Sequence, residues 1–369
     1  MSKHMTVVQM LPALNSGGVE RGTLEVAREL VRRGHRSIVI SAGGRMVQQL
    51  LDEGSEHIDW PVGLKRLSTL RYIRRVRRFL METPVDILHL RSRLPAWIGY
   101  LAWKKLPSQT RPRLVTTVHG PYSVNRYSAV MTKGERVIAV SEMIREYILD
   151  NYPEVDDSRI RVIHRGVDPQ EFPYGYQPDD SWLSGWYEEF PQTRDKRLVL
   201  LPARVTRWKG QEDMVRLMAG LKARRPDVHG LIVGGHDARR QGFVDELQQK
   251  ITEQQLAERV TLVGHRSDLK QIMAISDLVL SLSLDPEAFG RTTIEALSLG
   301  VPVIGYDHGG VKEQLEAILP QGRVPFGNDA GLLERVVGFL DSPPEVPNSH
   351  TFTLENMLRE TLAVYDELT

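Results

Sequence analysis

The segment DLVLSLSLDPEAFGRTTIEALSLGVPVIGY, residues 277–306, consists of two apolar runs with a polar, helix-like stretch between them. Asp285-Pro286 ends the first run, and Gly300 ends the helical stretch just before the second run begins. Two neighbouring parallel strands need a crossover of this kind, usually a helix. The segment therefore predicts a strand, a helix and a second, parallel strand.

The same alternation of short apolar runs and helical segments continues along the chain. It favours parallel sheets built from βαβ units over a sandwich or a helix bundle. Strands are predicted at 5–11, 36–42, 85–91, 113–120, 136–142, 160–167, 197–203, 229–235, 260–265, 277–284 and 301–306. The predicted fold class is α/β, with two doubly wound, Rossmann-like domains facing each other across a cleft, and ligands are expected at the carboxyl ends of the strands.

The length of 369 residues exceeds the usual size of one core and predicts two domains. The first domain is predicted to span residues 1–170 and the second 196–351. Residues 171–195 are rich in Pro, Gly, Asp and aromatic residues without clear periodicity, so they are interpreted as the linker. Residues 352–369 are predicted to form an amphipathic helix that packs back on the first domain.

The composition excludes several classes of protein. Hydrophobic residues make up 41% of the chain and charged residues 26%, which is typical of globular proteins. The sequence contains no cysteine, which excludes disulfides and thiolate metal sites. It has no uninterrupted apolar window of membrane-spanning length and no signal-peptide pattern near its start. We therefore expect a cytoplasmic protein.

The net charge of +1 conceals a basic first part and an acidic second part. Residues 1–168 contain 27 Lys and Arg against 17 Asp and Glu, whereas the remainder contains 21 against 30. The basic charge peaks at LKRLSTLRYIRRVRRFL, residues 64–80, with apolar residues at helical spacing, which are Leu67, Leu70, Ile73, Val76 and Leu80. A solvated helix face and contact with an anionic membrane both fit this pattern, and the contact would make the protein peripheral on the inner face of the cytoplasmic membrane. No nucleic-acid partner is expected, because no recognition motif accompanies the charge.

Two carboxylates flank the helix predicted within the opening segment. Glu287 precedes this helix, which is expected to begin near Arg291 or Thr292, and Glu295 lies in its first turn, where capping is an alternative role. The amides of residues 290–293 would attract an anion. The two carboxylates do not share a helix face, so they would serve separate hydroxyl groups. A diphosphate between two polyols, the layout of a sugar nucleotide, satisfies this arrangement.

The spacing of Glu287 and Glu295 resembles the E-x7-E donor-binding motif of retaining glycosyltransferases of family 4, which have the GT-B fold. Other segments resemble the family in the same order along the chain, namely NSGGVERG at 15–22, VTTVHGPYS at 115–123, IAVSE at 138–142, VIHRGVD at 162–168 and ARVTRWKGQ at 203–211. The set resembles transferases that build bacterial cell-envelope glycans. Two residues depart from the family pattern, because His164 and Arg165 stand where the family usually has Pro and Asn.

The resemblance implies a role for each matching residue. His119 would contact the donor sugar beside the anomeric centre, Glu287 would bind hydroxyls of that sugar, and Glu295 would bind the ribose. Arg204 and Lys209 would stabilise the charge that grows on the leaving phosphate, so no metal and no other cofactor are expected. The further donor-binding residues are Gly17 and Gly18 in a loop over the phosphates, Arg266 near the nucleoside base, and Ala288, Phe289, Gly290, Arg291, Thr292 and Thr293 through their backbone amides.

The function implied is transfer of a hexose, with retention, from a nucleotide diphosphate sugar to a glycan or glycolipid such as a lipopolysaccharide core. A uridine nucleotide is favoured. Three alternatives remain open from the residues themselves: a sugar-nucleotide isomerase, epimerase or phosphorolytic enzyme on the same scaffold, a transferase with a soluble acceptor, and a two-lobed binding protein without activity. An isomerase would convert the donor without any acceptor, and a binding protein would not need cations at a leaving group.

Overall fold

The computed structural model describes residues 4–15 and 17–369. The chain divides into two units by its internal contacts. Unit 1 comprises the residues up to Arg165 together with Glu355–Thr369, and unit 2 comprises Gly166–Leu354. Each unit is built on its own parallel sheet.

In the described residues of unit 1, seven strands form one sheet. The strands are β1 (Thr6–Met10), β2 (Arg36–Ser41), β3 (Glu56–Asp59), β4 (Ile87–Leu90), β5 (Arg113–Val118), β6 (Arg136–Ala139) and β7 (Ile160–Val162). The helices between them are α1 (Gly18–Arg32), α2 (Val47–Asp52), α3 (Arg71–Glu82), α4 (Arg93–Trp103) and α5 (Glu142–Asn151). β1 and β4 are buried along their whole length, as expected for a parallel sheet covered on both faces.

Unit 2 repeats this architecture with six strands. The strands are β8 (Arg197–Pro202), β9 (Val228–Val233), β10 (Val260–Gly264), β11 (Leu278–Ser281), β12 (Val303–Tyr306) and β13 (Arg323–Val324). The helices are α6 (Asp180–Glu189), α7 (Gln211–Arg224), α8 (Gln241–Glu253), α9 (Leu269–Ala274), α10 (Arg291–Ser298), α11 (Gly309–Ile318) and α12 (Asp329–Asp341). Its core is a continuous apolar cluster that joins the strands to the inner faces of these helices.

The strand orders show where each sheet can bind a ligand. They are β3-β2-β1-β4-β5-β6-β7 in unit 1 and β10-β9-β8-β11-β12-β13 in unit 2. In unit 1 the chain places β2 and β3 on one side of β1 and β4 to β7 on the other, and in unit 2 it places β9 and β10 on one side of β8 and β11 to β13 on the other. Doubly wound sheets bind ligands beyond the carboxyl ends of the two strands at which the order switches sides, here β1 with β4 and β8 with β11. These two sheets confirm the predicted α/β class of doubly wound, Rossmann-like domains.

All eleven predicted strands are present, but β3 and β13 were not predicted. β3 has the sequence EHID and is polar, and β13 has only two residues. Both lie at a sheet edge. An edge strand pairs on one side only and needs less apolar surface, so hydrophobic periodicity does not reveal it.

The segment 171–195, predicted as a linker, is instead part of unit 2. It contains α6, and the side chain of Asp179 caps this helix by accepting from the amide of Trp182 at 2.9 Å. Trp186 is only 2% exposed and stacks on Trp182 at a ring distance of 5.5 Å. The two tryptophans, spaced by four, form the buried face of a helix within a segment whose Gly and Pro content resembles that of a loop.

The basic segment 64–80 also differs from the prediction. α3 begins only at Arg71, and a short 3-10 helix, Leu67–Leu70, precedes it. The buried face of α3 is formed by Tyr72, Val76 and Leu80. Leu67 and Leu70 lie outside this face, with exposed fractions of 88% and 53%.

The C-terminal helix α13 (Leu354–Asp366) lies almost entirely within unit 1. Tyr365 on this helix is fully buried, and its hydroxyl lies 2.6 Å from Nδ1 of His89, whose Nε2 lies 2.7 Å from Oγ1 of Thr117. Burial lowers the pKa of His89 far below its ordinary value, so the ring is neutral. At the end of the chain Glu367 pairs with Arg136 and Arg161, and these contacts lower its pKa to about 2.

We expect Tyr365→Phe to lower the free energy of unfolding by about 1–3 kcal/mol, because it leaves a buried nitrogen of His89 without its partner. Urea unfolding of the full chain measures the loss. Tyr127→Phe is the matched control, since Tyr127 is 39% exposed, and it should change the free energy by less than about 0.5 kcal/mol. Equal effects of the two substitutions would contradict this role for the buried hydroxyl.

Candidate active site

A cavity lies in unit 2 at the point where the strand order reverses. Its volume is about 200 Å³. The residues that line it come from the ends of β8 and β11, from the loop before α7 and from the start of α10; they are Leu201, Pro202, Ala203, Arg204, Lys209, Leu280, Ser281, Leu282, Ser283, Glu287, Gly290, Arg291 and Thr292. We call it the switch-point cavity. Six of the predicted site residues meet here: Arg204, Lys209, Glu287, Gly290, Arg291 and Thr292.

Lys209 and Glu287 form an ion pair on the wall of this cavity. Oε1 of Glu287 accepts from Nζ of Lys209 and also from Oγ of Ser283, at 2.7 Å. The ammonium group lies 4.1 Å from the ring centroid of Trp208, a cation–π contact. Within the described residues Oε2 of Glu287 accepts no hydrogen bond. One carboxylate oxygen therefore holds the lysine, and the other is available to a ligand hydroxyl.

Arg204 lines a second cavity as well as the switch-point cavity. The second cavity has a volume of about 430 Å³ and is lined by Arg204, Val205, Thr206, Gly235, His236, Asp237, Arg240 and His265. The guanidinium of Arg204 makes no hydrogen bond or ion pair with the described part of the chain; only its backbone carbonyl is engaged, by Gln211. An exposed cation without a protein partner, shared by two cavities, suits an anionic ligand that extends through both.

The helix N-terminus predicted to bind the anion is the start of α10. Gly290 adopts φ = 85°, and a Cβ atom there would lie 2.7 Å from Cγ2 of Val311, so a side chain would be both strained and obstructed. The amide of Thr293 donates to the carbonyl of Gly290 at 3.2 Å. Thr293 therefore does not offer its amide as expected, and the residues of this turn that line the cavity are Gly290, Arg291 and Thr292.

Residues from the next crossover hold this turn in place, and the sequence did not point to them. Nε2 of Gln314 on α11 donates to the carbonyl of Phe289, and the amide of Gly310 donates to the carbonyl of Glu287 at 2.8 Å. A Cβ atom on Gly310 would lie 2.5 Å from Cα of Phe289, so only glycine permits this approach. The sequence did contain a signal for them, because HGG at 308–310 begins only one residue after the end of β12.

Several predicted donor residues do not line either cavity. Phe289 is 4% exposed and packs 6.0 Å from Phe352, so its side chain belongs to the core. Glu295 is 9% exposed, and its Oε1 lies 3.7 Å from Nε of Arg291. Arg266 is held by Glu189 and Asp268, and its neighbour His265 lines the second cavity instead. Ala288 and Thr293 are also absent from the two linings.

The other predicted residues belong to unit 1. Nδ1 of His119, just after β5, lies 2.5 Å from a guanidinium nitrogen of Arg165, and the backbone amide of His119 donates to the hydroxyl of Tyr122 at 3.2 Å. Burial, and then the charge of Arg165, lower the pKa of the imidazole far below its ordinary value. Gly17 has φ = 135° and precedes Gly18, the first residue of α1. Ser16, the remaining residue of this loop, lies outside the described residues.

Comparison with known proteins decides the family. Residues 16–171 match the model named Glycosyltransferase Family 4, and residues 187–347 match Glycosyl transferases group 1. The chain is also similar to a glycosyltransferase from Rickettsia africae, with 33% identity and a TM-score of 0.87, over 100% of this chain and 99% of that one. The chain belongs to glycosyltransferase family 4. This glycosyltransferase is thus an enzyme, which excludes the alternative of a binding protein without activity.

Two further matches are more distant. HepE from Anabaena, solved in complex with UDP, has the same fold, with 21% identity, a TM-score of 0.82 and coverage of 99% of this glycosyltransferase and 100% of HepE. The lipopolysaccharide core biosynthesis mannosyltransferase LpsB from Rhizobium meliloti is 27% identical over 184 residues, which are 47% of this chain and 52% of LpsB. No helix in the described part of the glycosyltransferase combines the length and apolar character needed to cross a bilayer.

Proposed function

We propose that this enzyme transfers a hexose from a nucleoside diphosphate sugar to a glycan or glycolipid acceptor and retains the anomeric configuration of the donor. The observation that carries the proposal is the pair of cavities that share Arg204 in their linings. A nucleoside diphosphate sugar, with a charged diphosphate between an uncharged nucleoside and an uncharged sugar, matches this arrangement. The uridine nucleotide is favoured because HepE, which has the same fold, was solved with UDP.

The chemistry of the two linings supports the following placement of the ligand. The nucleoside occupies the larger cavity beside His265 and Gly235, and the diphosphate lies between Arg204, Lys209 and the first turn of α10. The hexose then lies next to Glu287, whose Oε2 accepts from its hydroxyl groups. Glu295 is proposed to bind the ribose, for which its salt contact with Arg291 would have to open.

In the proposed reaction the bond between the anomeric carbon and the distal phosphate oxygen breaks while the acceptor oxygen attacks the same face of the sugar. The acceptor proton passes to the leaving phosphate. Negative charge grows on that phosphate in the transition state, and the two cations stabilise it more strongly there than in the ground state. Their charge performs the task that a divalent metal could otherwise perform, so the proposed mechanism requires none.

Binding and turnover together test the proposed function. A panel of nucleotide sugars is screened by thermal unfolding, where a ligand at 100 times its dissociation constant stabilises the protein by about 2.7 kcal/mol. The ligand found is then incubated with glycan acceptors. We expect nucleoside diphosphate release that requires the acceptor and an α-configured product from an α-configured donor. Inversion of the product would exclude the same-face mechanism, and no stabilisation by any nucleotide sugar would exclude the donor site.

We propose a membrane-embedded glycolipid as the acceptor, presented at an anionic surface, with a lipopolysaccharide core as one candidate because of the similarity to LpsB. The support for a membrane-embedded acceptor lies in unit 1, where the exposed apolar residues Leu67, Leu70 and Met81 accompany several exposed arginines. These arginines are Arg66, Arg71, Arg74, Arg75, Arg77 and Arg78. Apolar residues that insert among lipid chains and cations that contact headgroups together favour a peripheral position on the membrane.

We expect the protein to float with vesicles that contain phosphatidylglycerol at low salt and to remain unbound with phosphatidylcholine vesicles. Each basic residue near the surface contributes about 1 kcal/mol, so Arg74→Ser with Arg77→Ser should weaken binding by about tenfold or more. Arg239→Ser removes a 91% exposed arginine from unit 2 and serves as the control. Binding that is equal in the double variant and the control would assign the contact to another surface.

A further inference from the structure

Arg165 contacts the predicted catalytic histidine directly. Its guanidinium nitrogen Nη2 lies 2.5 Å from Nδ1 of His119, and its Nη1 lies 3.8 Å from Sδ of Met357. The residue is 8% exposed. A guanidinium has only donors, so Nδ1 of His119 must be the acceptor in this hydrogen bond and cannot carry a hydrogen.

This contact determines where the hydrogen of the imidazole lies. A neutral imidazole with an accepting Nδ1 carries its hydrogen on Nε2. Nε2 of His119 is buried and has no hydrogen-bond partner in the described part of the chain. An unsatisfied buried donor is unfavourable, so an oxygen atom of a ligand is the partner that would satisfy it.

We propose that Arg165 is a positioning residue that holds His119 as the neutral tautomer with its hydrogen on Nε2, so that His119 donates a hydrogen bond to an oxygen of a bound ligand and does not remove a proton from the acceptor. This inference rests on the proposed function, in which the acceptor proton passes to the leaving phosphate and not to a side chain. It also gives a role to the arginine that stands where the family usually has asparagine.

The other groups around His119 favour the same protonation state. Arg91, the residue after β4, lowers the pKa of His119 by its positive charge, whereas the neighbouring His89 is neutral. The hydroxyl of Tyr122 accepts from the backbone amide of His119. Arg91 and Arg165 also pack together on α1, since a Cβ atom on Gly22 would lie 3.2 Å and 3.4 Å from their guanidinium nitrogens. Two cations and a buried position oppose protonation of the ring.

Removing the arginine should therefore change how His119 titrates. In Arg165→Met the ring loses both its donor and the nearest positive charge, so its pKa rises, while burial and Arg91 still hold it below the ordinary value. As the pH falls through this raised pKa, His119 becomes an imidazolium and turnover declines, about tenfold for each further pH unit. Arg165→Lys keeps the charge and one donor, so it should largely restore activity at acid pH.

Nitrogen NMR of the full chain tests the tautomer without any assay of activity. The histidines are labelled with ¹⁵N, and loss of signals in His119→Gln identifies the resonances of His119. In the unsubstituted protein we expect Nδ1 without a hydrogen and Nε2 with one, unchanged from about pH 8 to about pH 6. A hydrogen on Nδ1, or an imidazolium in this range, would overturn the proposal.

The pH profile of turnover then distinguishes positioning from a general structural role. Arg165→Met should lose turnover preferentially at acid pH, whereas Arg161→Gln, which removes a nearby arginine that pairs with Glu367, should keep the profile of the unsubstituted enzyme. An unchanged His119 titration in Arg165→Met would refute the proposal. If the protein transferred no sugar at all, the proposed function would fail, while the NMR result would still decide the tautomer.

Discussion

Lys209→Met is expected to lower the turnover of this glycosyltransferase by about 10²–10³-fold, as does removal of one preorganised group that stabilises transition-state charge. The ammonium group lies on the wall of the switch-point cavity, and the neighbouring cation is Arg204. Because negative charge on the leaving phosphate is greatest in the transition state, the loss should appear mainly in kcat and less in KM. Initial rates at saturating donor and acceptor give both constants.

Two further variants test whether the loss of turnover is specific to the charge at Lys209. Arg207→Ala removes a cation from the same loop, but Arg207 is 62% exposed and pairs with Glu246, so turnover should stay within about twofold of the original. Lys209→Arg keeps the charge and should recover part of the loss, although a planar guanidinium does not reproduce the geometry of an ammonium. If Lys209→Met kept its turnover, Lys209 would act only as the ion-pair partner of Glu287.

Much of this site could be predicted because its residues lie in loops that follow strands and because they match the motifs of a known family. Lys209, Glu287 and Gly290 each lie in a loop after a buried apolar run, and the carboxyl ends of parallel strands meet at one edge of the sheet. The eleven apolar strands were recognisable for the same reason, since strands buried on both faces read as continuous hydrophobic runs. Local sequence therefore contains the information for both the sheets and the cavity.

Contacts between segments that are distant in sequence could not be predicted in this way. The ion pair between Lys209 and Glu287 joins residues 78 positions apart, and it depends on the pairing of β8 with β11. The support of the α10 turn by Gln314 and Gly310 likewise depends on how α11 packs. Such contacts are set by tertiary packing, and the side-chain position of Arg266 between Glu189 and Asp268 has the same origin. Periodicity and spacing along one chain do not specify them.

Glu287→Gln should lower kcat/KM and, at the same time, raise the affinity for the nucleoside diphosphate product. The amide preserves the shape of the side chain and its contact with Ser283, but it no longer offers a charged acceptor to the sugar. Hydrogen bonds to charged groups contribute about 1.5–3 kcal/mol, so kcat/KM should fall by about 10–100-fold. Meanwhile Lys209 loses the carboxylate that neutralises it, and its full charge becomes available to a phosphate. The nucleoside diphosphate product, which carries no hexose, should therefore bind several-fold more tightly.

Calorimetric titration with the nucleoside diphosphate measures this second effect, and Lys209→Met should show the reverse, weaker binding. Glu316→Gln is the matched control, because Glu316 is 59% exposed on α11 and pairs only at the surface with Arg323. Its affinity and turnover should remain unchanged within about twofold. If Glu287→Gln bound the diphosphate more weakly, the carboxylate would be supporting the phosphate site, and the hexose would have to lie elsewhere. Opposite changes in the two variants would instead place the phosphate at Lys209, because the carboxylate of Glu287 and the phosphate then compete for the same ammonium group.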